Sequence, residues 1–110
     1  SSLSLLGRAV PAAVEQLRKS RILLAEFLQD RQAFNIEVQR GTTSEGERTG
    51  RERGLRLAAM ALVSAYRKSV ELLRKRNMTD QVVQALHELG NLQWLEGDAG
   101  GAQTSWSDAL

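Results

Sequence analysis

Few residues of this chain are of a type that could carry out chemistry, and they are scattered. The chain has one histidine, His87, and no cysteine. Zinc sites and nucleophilic triads need several ligands or partners brought together, and none stands at a suitable spacing from His87. The acidic residues do not cluster as a general acid–base pair would require. We therefore predict no catalytic residue, no metal site, no cofactor, no small-molecule substrate and no enzyme activity.

The glycine-rich stretch GTTSEGERTGRERG, residues 41–54, is the nearest approach to a phosphate-binding loop. It lacks the preceding strand and the Lys-Ser/Thr ending of such a loop. It also contains four glycines and no apolar residue, so it cannot bury apolar area to offset the entropy of ordering. We predict a flexible connector between two long antiparallel helices, in which Thr42, Thr43 or Ser44 could be modified by a kinase.

Charge is divided unevenly along the chain, although the net charge is only +2. Residues 55–78 hold six basic side chains against Glu71, whereas residues 79–110 hold five acidic side chains and no basic one. A basic helix could bind nucleic acid or another acidic surface. Tyr66 is the only aromatic residue nearby, however, and the acidic segment would compete. Binding of nucleic acid or of another acidic surface is therefore an alternative hypothesis for the function. We call the residues that would carry it the basic patch: Arg67, Lys68, Arg74, Lys75 and Arg76.

The spacing of apolar residues predicts an all-α protein of one modest domain. After a lead-in at residues 1–10, a long helix should begin at Pro11 and run through residues 11–40, burying more than one of its sides. A second long helix should span residues 55–77 and end at Asn77 in a left-handed conformation. Residues 79–110 should form two shorter helices, the first capped by Thr79 or Asp80.

Neither a membrane-spanning segment nor the layout of a signal peptide is present, so we expect a soluble, cytoplasmic protein. The chain opens without an initiator methionine and stops inside a predicted helix. We therefore expect it to be a piece of a larger protein.

The C-terminal stretch, ALHELGNLQWLEGDAGGAQTSWSDAL, combines small and large residues at helical spacings on either side of Gly97-Asp98. Asp98 should cap the last helix. Gly90 costs roughly 1 kcal/mol relative to alanine inside a helix, so it needs a packing reason. We predict that the indole of Trp106 lies against Gly90, and that Trp106 belongs to the core.

This stretch resembles the tetratricopeptide repeat, a helical hairpin of 34 residues. The matching positions are Leu86, Leu89, Gly90, Asn91, Trp94, Gly97, Asp98, Ala102, Trp106, Ala109 and Leu110. Gln93 and Ala99 depart from the pattern, because the family commonly has tyrosine at both positions. The resemblance implies two antiparallel hairpins in a right-handed stack, whose first helices line a groove for a protein partner.

Transferred onto this chain, the groove residues implied by the resemblance are Gln84, His87, Asn91, Trp94 and Leu95. Asn91 falls where some family members hydrogen-bond a ligand backbone, but His87 replaces the lysine of those that bind a C-terminal carboxylate. Trp94 could equally pack in the core.

We therefore predict a non-catalytic scaffold segment that binds other protein chains of an assembly. A purely structural element of a helical scaffold is a third interpretation. The long helices also resemble irregular helical-repeat regions of large assembly proteins, including those of cilia and flagella.

Overall fold

Four α-helices follow one another along the chain. The computed structural model describes the backbone of residues 2–110 and the side chains of residues 11–110. The helices are α1 (Ser2–Arg40), α2 (Glu45–Lys75), α3 (Thr79–Leu95) and α4 (Ala99–Ala109), and the described residues contain no strand. Each helix packs against the next one along the chain. Because the connections are short, neighbouring helices are antiparallel and α1 runs in the same direction as α3. The predicted all-α class is confirmed.

The first two helices are longer than the sequence predicts. Helix α1 begins at Ser2, so residues 2–10 are helical and Pro11 lies inside the helix instead of opening it. Helix α2 begins at Glu45, and the connection between the two helices is reduced to residues 41–44. The prediction of a flexible loop over residues 41–54 is therefore wrong for most of that segment.

Polar contacts explain why this segment forms a helix without apolar residues. The Ser44 hydroxyl accepts a hydrogen bond from the backbone N–H of Glu47 at 3.2 Å and so caps the start of α2. One turn further on, Arg51 pairs with the carboxylate of Glu37 in α1. The guanidinium of Arg51 also lies 4.9 Å from the ring centroid of Phe34. These contacts attach the polar start of α2 to α1.

The two later connections share one geometry, in which a residue with positive φ ends the helix. This residue is Asn77 at φ 56° after α2 and Gly97 at φ 84° after α3. In each turn an N–H just past that residue donates to a carbonyl of the last helical turn, from Met78 to Leu73 at 3.1 Å and from Asp98 to Gln93 at 2.8 Å. The predicted left-handed stop at Asn77 is confirmed.

The caps at the starts of α3 and α4 differ from each other. The Asp98 side chain accepts from the backbone N–H of Gly101 at 2.9 Å, as predicted. Helix α3 is different, because its N-cap is Met78, which makes no side-chain cap hydrogen bond. The prediction of Thr79 or Asp80 as cap is wrong, since the turn at Asn77 brings Thr79 into the first helical position.

The core lies where α1, α2 and α3 meet. Two serine hydroxyls, on Ser20 of α1 and Ser69 of α2, lie 3.2 Å apart and let these helices approach closely. The sequence predicts that α1 buries more than one side because Leu23 and Leu28 lie beside its main apolar stripe. These side chains are 50% and 41% exposed, so that prediction is wrong at both positions. The large apolar side chains of this contiguous core are Leu17, Phe27, Leu62, Tyr66, Leu73, Leu86, Leu89 and Leu92.

The molecule is elongated, with principal extents of 59 × 27 × 16 Å. Glu96, directly after α3, lies at the level of Arg31 in α1 and Glu52 in α2, since both carboxylates bind the Arg31 guanidinium. Beyond that level, residues 32–40 of α1 and 45–51 of α2 continue as a pair, which we call the α1–α2 arm.

Candidate protein-interaction surface

The five predicted groove residues lie together on one exposed side of α3. Each of them lies three or four residues from another of the five along α3, which places them on one helical face. Trp94 is 59% exposed and Leu95 is 52% exposed, which is unusual for large apolar side chains. Trp94 is thus part of the surface and not of the core. We call this surface the α3 face: Gln84, His87, Asn91, Trp94 and Leu95, all of them exposed.

A tight contact between α3 and α4 supports one end of this face. Gly90 is buried, and a Cβ atom placed on it would lie 2.2 Å from Nε1 and 2.3 Å from Cδ1 of Trp106. The predicted approach of the Trp106 indole to Gly90 is therefore confirmed. The rings of Trp94 and Trp106 are tilted by 37° with centroids 5.9 Å apart, an arrangement that favours attraction between aromatic rings.

Trp106 is only half-buried, so its prediction as a core residue is wrong. The indole covers Gly90 and neighbours Trp94, which is itself mostly exposed. One side of the Trp106 ring is therefore packed while the ring stays open to solvent elsewhere. The two tryptophans form a continuous aromatic area at this end of the α3 face.

Gln93 stands where the tetratricopeptide family commonly has tyrosine, and it makes a buried polar contact with α4. Gln93 is 3% exposed and Ser105 of α4 is 6% exposed. The Ser105 hydroxyl donates a hydrogen bond to Oε1 of Gln93 at 2.6 Å. A buried carbonyl oxygen without such a donor would cost about 1–3 kcal/mol, so this bond stabilises the contact between the two helices.

An ion pair between α1 and α3 borders the α3 face. Arg21 Nε lies 2.7 Å from a carboxylate oxygen of Glu88, and its Nη2 donates to Oε1 of Gln84 at 3.3 Å. The hydrogen bond to Glu88 raises the pKa of Arg21, although burial opposes the rise. The contact fixes Gln84 of the α3 face relative to α1.

Arg31 joins three helices through two bidentate ion pairs. Its Nη1 donates to both carboxylate oxygens of Glu52 at 3.0 Å, and its Nη2 donates to those of Glu96 at 2.9 and 3.0 Å. Burial alone would lower the pKa of Arg31, but the hydrogen bonds that its guanidinium donates to the two carboxylates outweigh burial, and the pKa is raised. These glutamates therefore hold the helices together.

Sequence reasoning missed these ion pairs. The only signal was that arginines ten residues apart, Arg21 and Arg31, could face glutamates eight residues apart, Glu88 and Glu96, on a parallel helix. Such a match becomes informative only once the two helices are known to be neighbours.

The structure divides the basic patch. Arg67, Lys68, Arg74 and Lys75 are exposed along α2, whereas Arg76 is half-buried with its Nε atom buried and without a hydrogen-bond partner among the described residues. Arg67, Arg74 and Lys75 line a groove between α2 and α4 with a volume of about 540 Å³, but Lys68 and Arg76 do not. The patch is thus not one continuous surface.

The ring of Tyr66 is not accessible for a nucleic-acid base to stack on it. Its side chain is 0% exposed, and its hydroxyl has no hydrogen-bond partner among the side chains that the structure describes. Burial raises the pKa of Tyr66, and the nearby Glu88 carboxylate adds to the rise. The aromatic ring that could have stacked on a base is part of the core.

Within residues 2–110, no helix is both long enough and apolar enough to cross a lipid bilayer. Within the same residues, His, Asp and Glu side chains do not form a group of three or more that could hold a metal ion.

Comparison with known proteins gives a partial match. Over 45 residues, or 41% of this chain, the sequence is 47% identical to cilia- and flagella-associated protein 54 of Chlamydomonas reinhardtii. Part of this chain is similar to a ciliary protein. The matched segment spans about 2% of that protein's length. No family model matches the chain and no solved structure matches it, so neither comparison confirms the tetratricopeptide resemblance.

Proposed function

We propose that this chain is a non-catalytic scaffold segment that binds another protein chain through the α3 face. The observation that carries the proposal is that all five predicted groove residues lie exposed on one side of α3, with Trp94 and Leu95 uncovered beside Trp106. Tryptophan is among the residues that contribute most to binding at protein interfaces, because a large rigid ring is desolvated at little entropic cost. Exposed apolar area of this kind marks interaction surfaces.

The partner is a helix or an extended segment of another protein in the same assembly. Arg21 and Glu88 beside the face are already paired with each other, so the contact would depend on the tryptophan and leucine side chains and on the amides of Gln84 and Asn91. The Asn91 amide offers a donor and an acceptor to a partner backbone, whereas Gln84 offers mainly its NH₂ group, because its Oε1 already accepts from Arg21. The face has no lysine or arginine, so it does not suit capture of a C-terminal carboxylate.

The architecture proposed with this function is a right-handed, tetratricopeptide-like stack of two antiparallel hairpins, α1–α2 and α3–α4. It is supported by the parallel course of α1 and α3 and by the close contact of Trp106 with Gly90. We also propose a cytoplasmic location within a ciliary or related cytoskeletal assembly. The similarity of 45 residues to a cilia- and flagella-associated protein supports this location.

The test uses the full-length protein in cells that build cilia. Trp94→Ala combined with Leu95→Ala should reduce retention of the protein in the detergent-extracted ciliary fraction, because the aromatic contact is lost. The matched control is Leu57→Ala combined with Met60→Ala, which removes apolar side chains that are 60% and 68% exposed on α2.

Loss of the Trp94–Trp106 contact should cost only about 0.5–1.5 kcal/mol, so the altered protein should remain folded by circular dichroism. Equal retention of the two double variants and the unaltered protein would refute the proposal for the α3 face.

A further inference from the structure

The groove between α2 and α4 is a second surface, separate from the α3 face. Its volume is about 540 Å³. One wall carries Arg67, Glu71, Arg74 and Lys75 of α2, and the other carries Gly101, Thr104, Ser105 and Asp108 of α4. The floor comes from α3 and includes Gln93. We call it the α2–α4 groove.

The floor offers a hydrogen-bond donor that the fold does not use. Gln93 is 3% exposed, and its Oε1 accepts the hydrogen bond from Ser105. Among the side chains that the structure describes, none accepts a hydrogen bond from Nε2 of Gln93. Oδ2 of Asp98 and Nε2 of Gln93 lie 2.2 and 2.9 Å from where a Cβ on residue 101 would be, so the glycine there leaves room for both side chains. An amide N–H group in such a place favours an oxygen ligand.

The wall from α2 offers cations that are largely free. Arg67 and Arg74 form no ion pair with any residue whose side chain is described. Lys75 lies 3.2 Å from Glu71, but these side chains are 60% and 65% exposed, and exposed pairs of this kind contribute little. Two guanidinium groups therefore stand above a floor that carries a free amide donor.

We propose that the α2–α4 groove binds an acidic segment of a partner protein. The carboxylates of that segment are bound by Arg67 and Arg74, and a backbone or side-chain oxygen accepts from Nε2 of Gln93. Arginine forks suit this role, since they bind carboxylates through two parallel hydrogen bonds.

The charges of the groove favour a peptide over nucleic acid. Glu71 and Asp108 lie on opposite walls and would repel the evenly spaced phosphates of a nucleic-acid strand. A peptide can place carboxylates beside the arginines and neutral or basic groups beside Asp108. The groove also lacks an aromatic side chain on which a base could stack, because Tyr66 is buried in the core.

The experiment titrates the isotope-labelled chain at low salt with a ten-residue peptide in which glutamate alternates with glycine, and nuclear magnetic resonance follows the titration. We expect shifts of the Gln93 side-chain amide and of the backbone amides of Gly101 and Thr104. Arg67→Glu combined with Arg74→Glu should weaken binding about tenfold, since each reversal replaces attraction by repulsion. Both residues are exposed, so the fold should be retained, and circular dichroism checks this.

The matched control is Arg48→Glu combined with Arg53→Glu, which changes the net charge equally at exposed positions of α2 outside the groove. Equal weakening by the two double variants, or no shift at Gln93, would overturn the proposal. A single-stranded oligonucleotide that shifts the same amides at lower concentration than the peptide would also overturn it, in favour of a phosphate ligand.

Discussion

Replacing Gly90 by alanine should destabilise this protein, although alanine is the better helix former. A Cβ on residue 90 would lie 2.2 Å from Nε1 of Trp106, whereas unbonded heavy atoms settle at about 3.5–4.0 Å. The indole must therefore move by more than about 1 Å, away from α3 and from its contact with Trp94.

Two opposing contributions set the magnitude. Overpacking of this kind costs typically about 1–3 kcal/mol, and replacing glycine by alanine inside a helix recovers about 1 kcal/mol. We expect a net loss of about 0–2 kcal/mol in the free energy of unfolding. Gly54→Ala in α2 is the matched control, because nothing lies within 4 Å of the Cβ it would add. That change should stabilise the protein by up to about 1 kcal/mol.

The assay is urea denaturation followed by far-ultraviolet circular dichroism, which does not depend on the tryptophans as reporters. The decisive comparison repeats Gly90→Ala in a Trp106→Ala background. With the indole absent, the same substitution should become stabilising by about 1 kcal/mol, because only the helix preference remains. If Gly90→Ala stabilises the unaltered protein as much as Gly54→Ala does, the contact between Trp106 and Gly90 does not exist in solution.

Three further predictions concern the helix contacts and turns. Arg31→Met should lower the free energy of unfolding by about 1–3 kcal/mol in urea denaturation, because Glu96 would keep its charge without a partner and Glu52 would keep only the exposed Arg56, 3.6 Å away. An unchanged value would contradict this role. Tyr66 is the only tyrosine, and burial raises its pKa in the folded protein above the ordinary 10.0. The unfolded chain therefore loses the Tyr66 proton more readily than the folded protein does, so the free energy of unfolding should fall as pH rises above about 10. An ordinary midpoint in an absorbance titration of the folded protein would be inconsistent with that burial. Asn77→Ala should lower the free energy of unfolding by about 1 kcal/mol, because residue 77 has a φ of 56° and alanine disfavours that left-handed conformation. Asn77→Gly should be neutral or stabilising, because glycine adopts the conformation readily. Equal thermal melts of the two variants would argue against strain at this turn.

The sequence predicts the contacts whose cause is local. A glycine inside an amphipathic helix and a tryptophan at the matching spacing of the next helix were sufficient to predict the pairing of Gly90 with Trp106. Asn77 and Asp98 were predictable for the same reason, since a left-handed stop and a helix cap depend on a few neighbouring residues. The five positions of the α3 face follow from the resemblance, and their binding role stays a prediction.

The wrong or missing predictions concern contacts between polar side chains that are far apart in the sequence. The start of α2 has no apolar residue, so apolar periodicity gives it no helical signal, yet Arg51 and Glu52 attach it to α1. Arg31 reaches Glu96, 65 positions further along the chain, and no local pattern announces such a contact. Trp106 was misjudged because spacing shows that a side chain packs, but not how much of it remains exposed.

The α1–α2 arm has a consequence for how the molecule opens. Its nine residues of α1 past Arg31 extend about 14 Å with only one neighbouring helix, so fewer contacts oppose local opening there than in the three-helix body. Amide protons of the arm should exchange with solvent first, from the tip at Gly41 back toward Arg31. A protease should cut at that tip and leave the body assembled, which would make the arm the place where insertions are best tolerated.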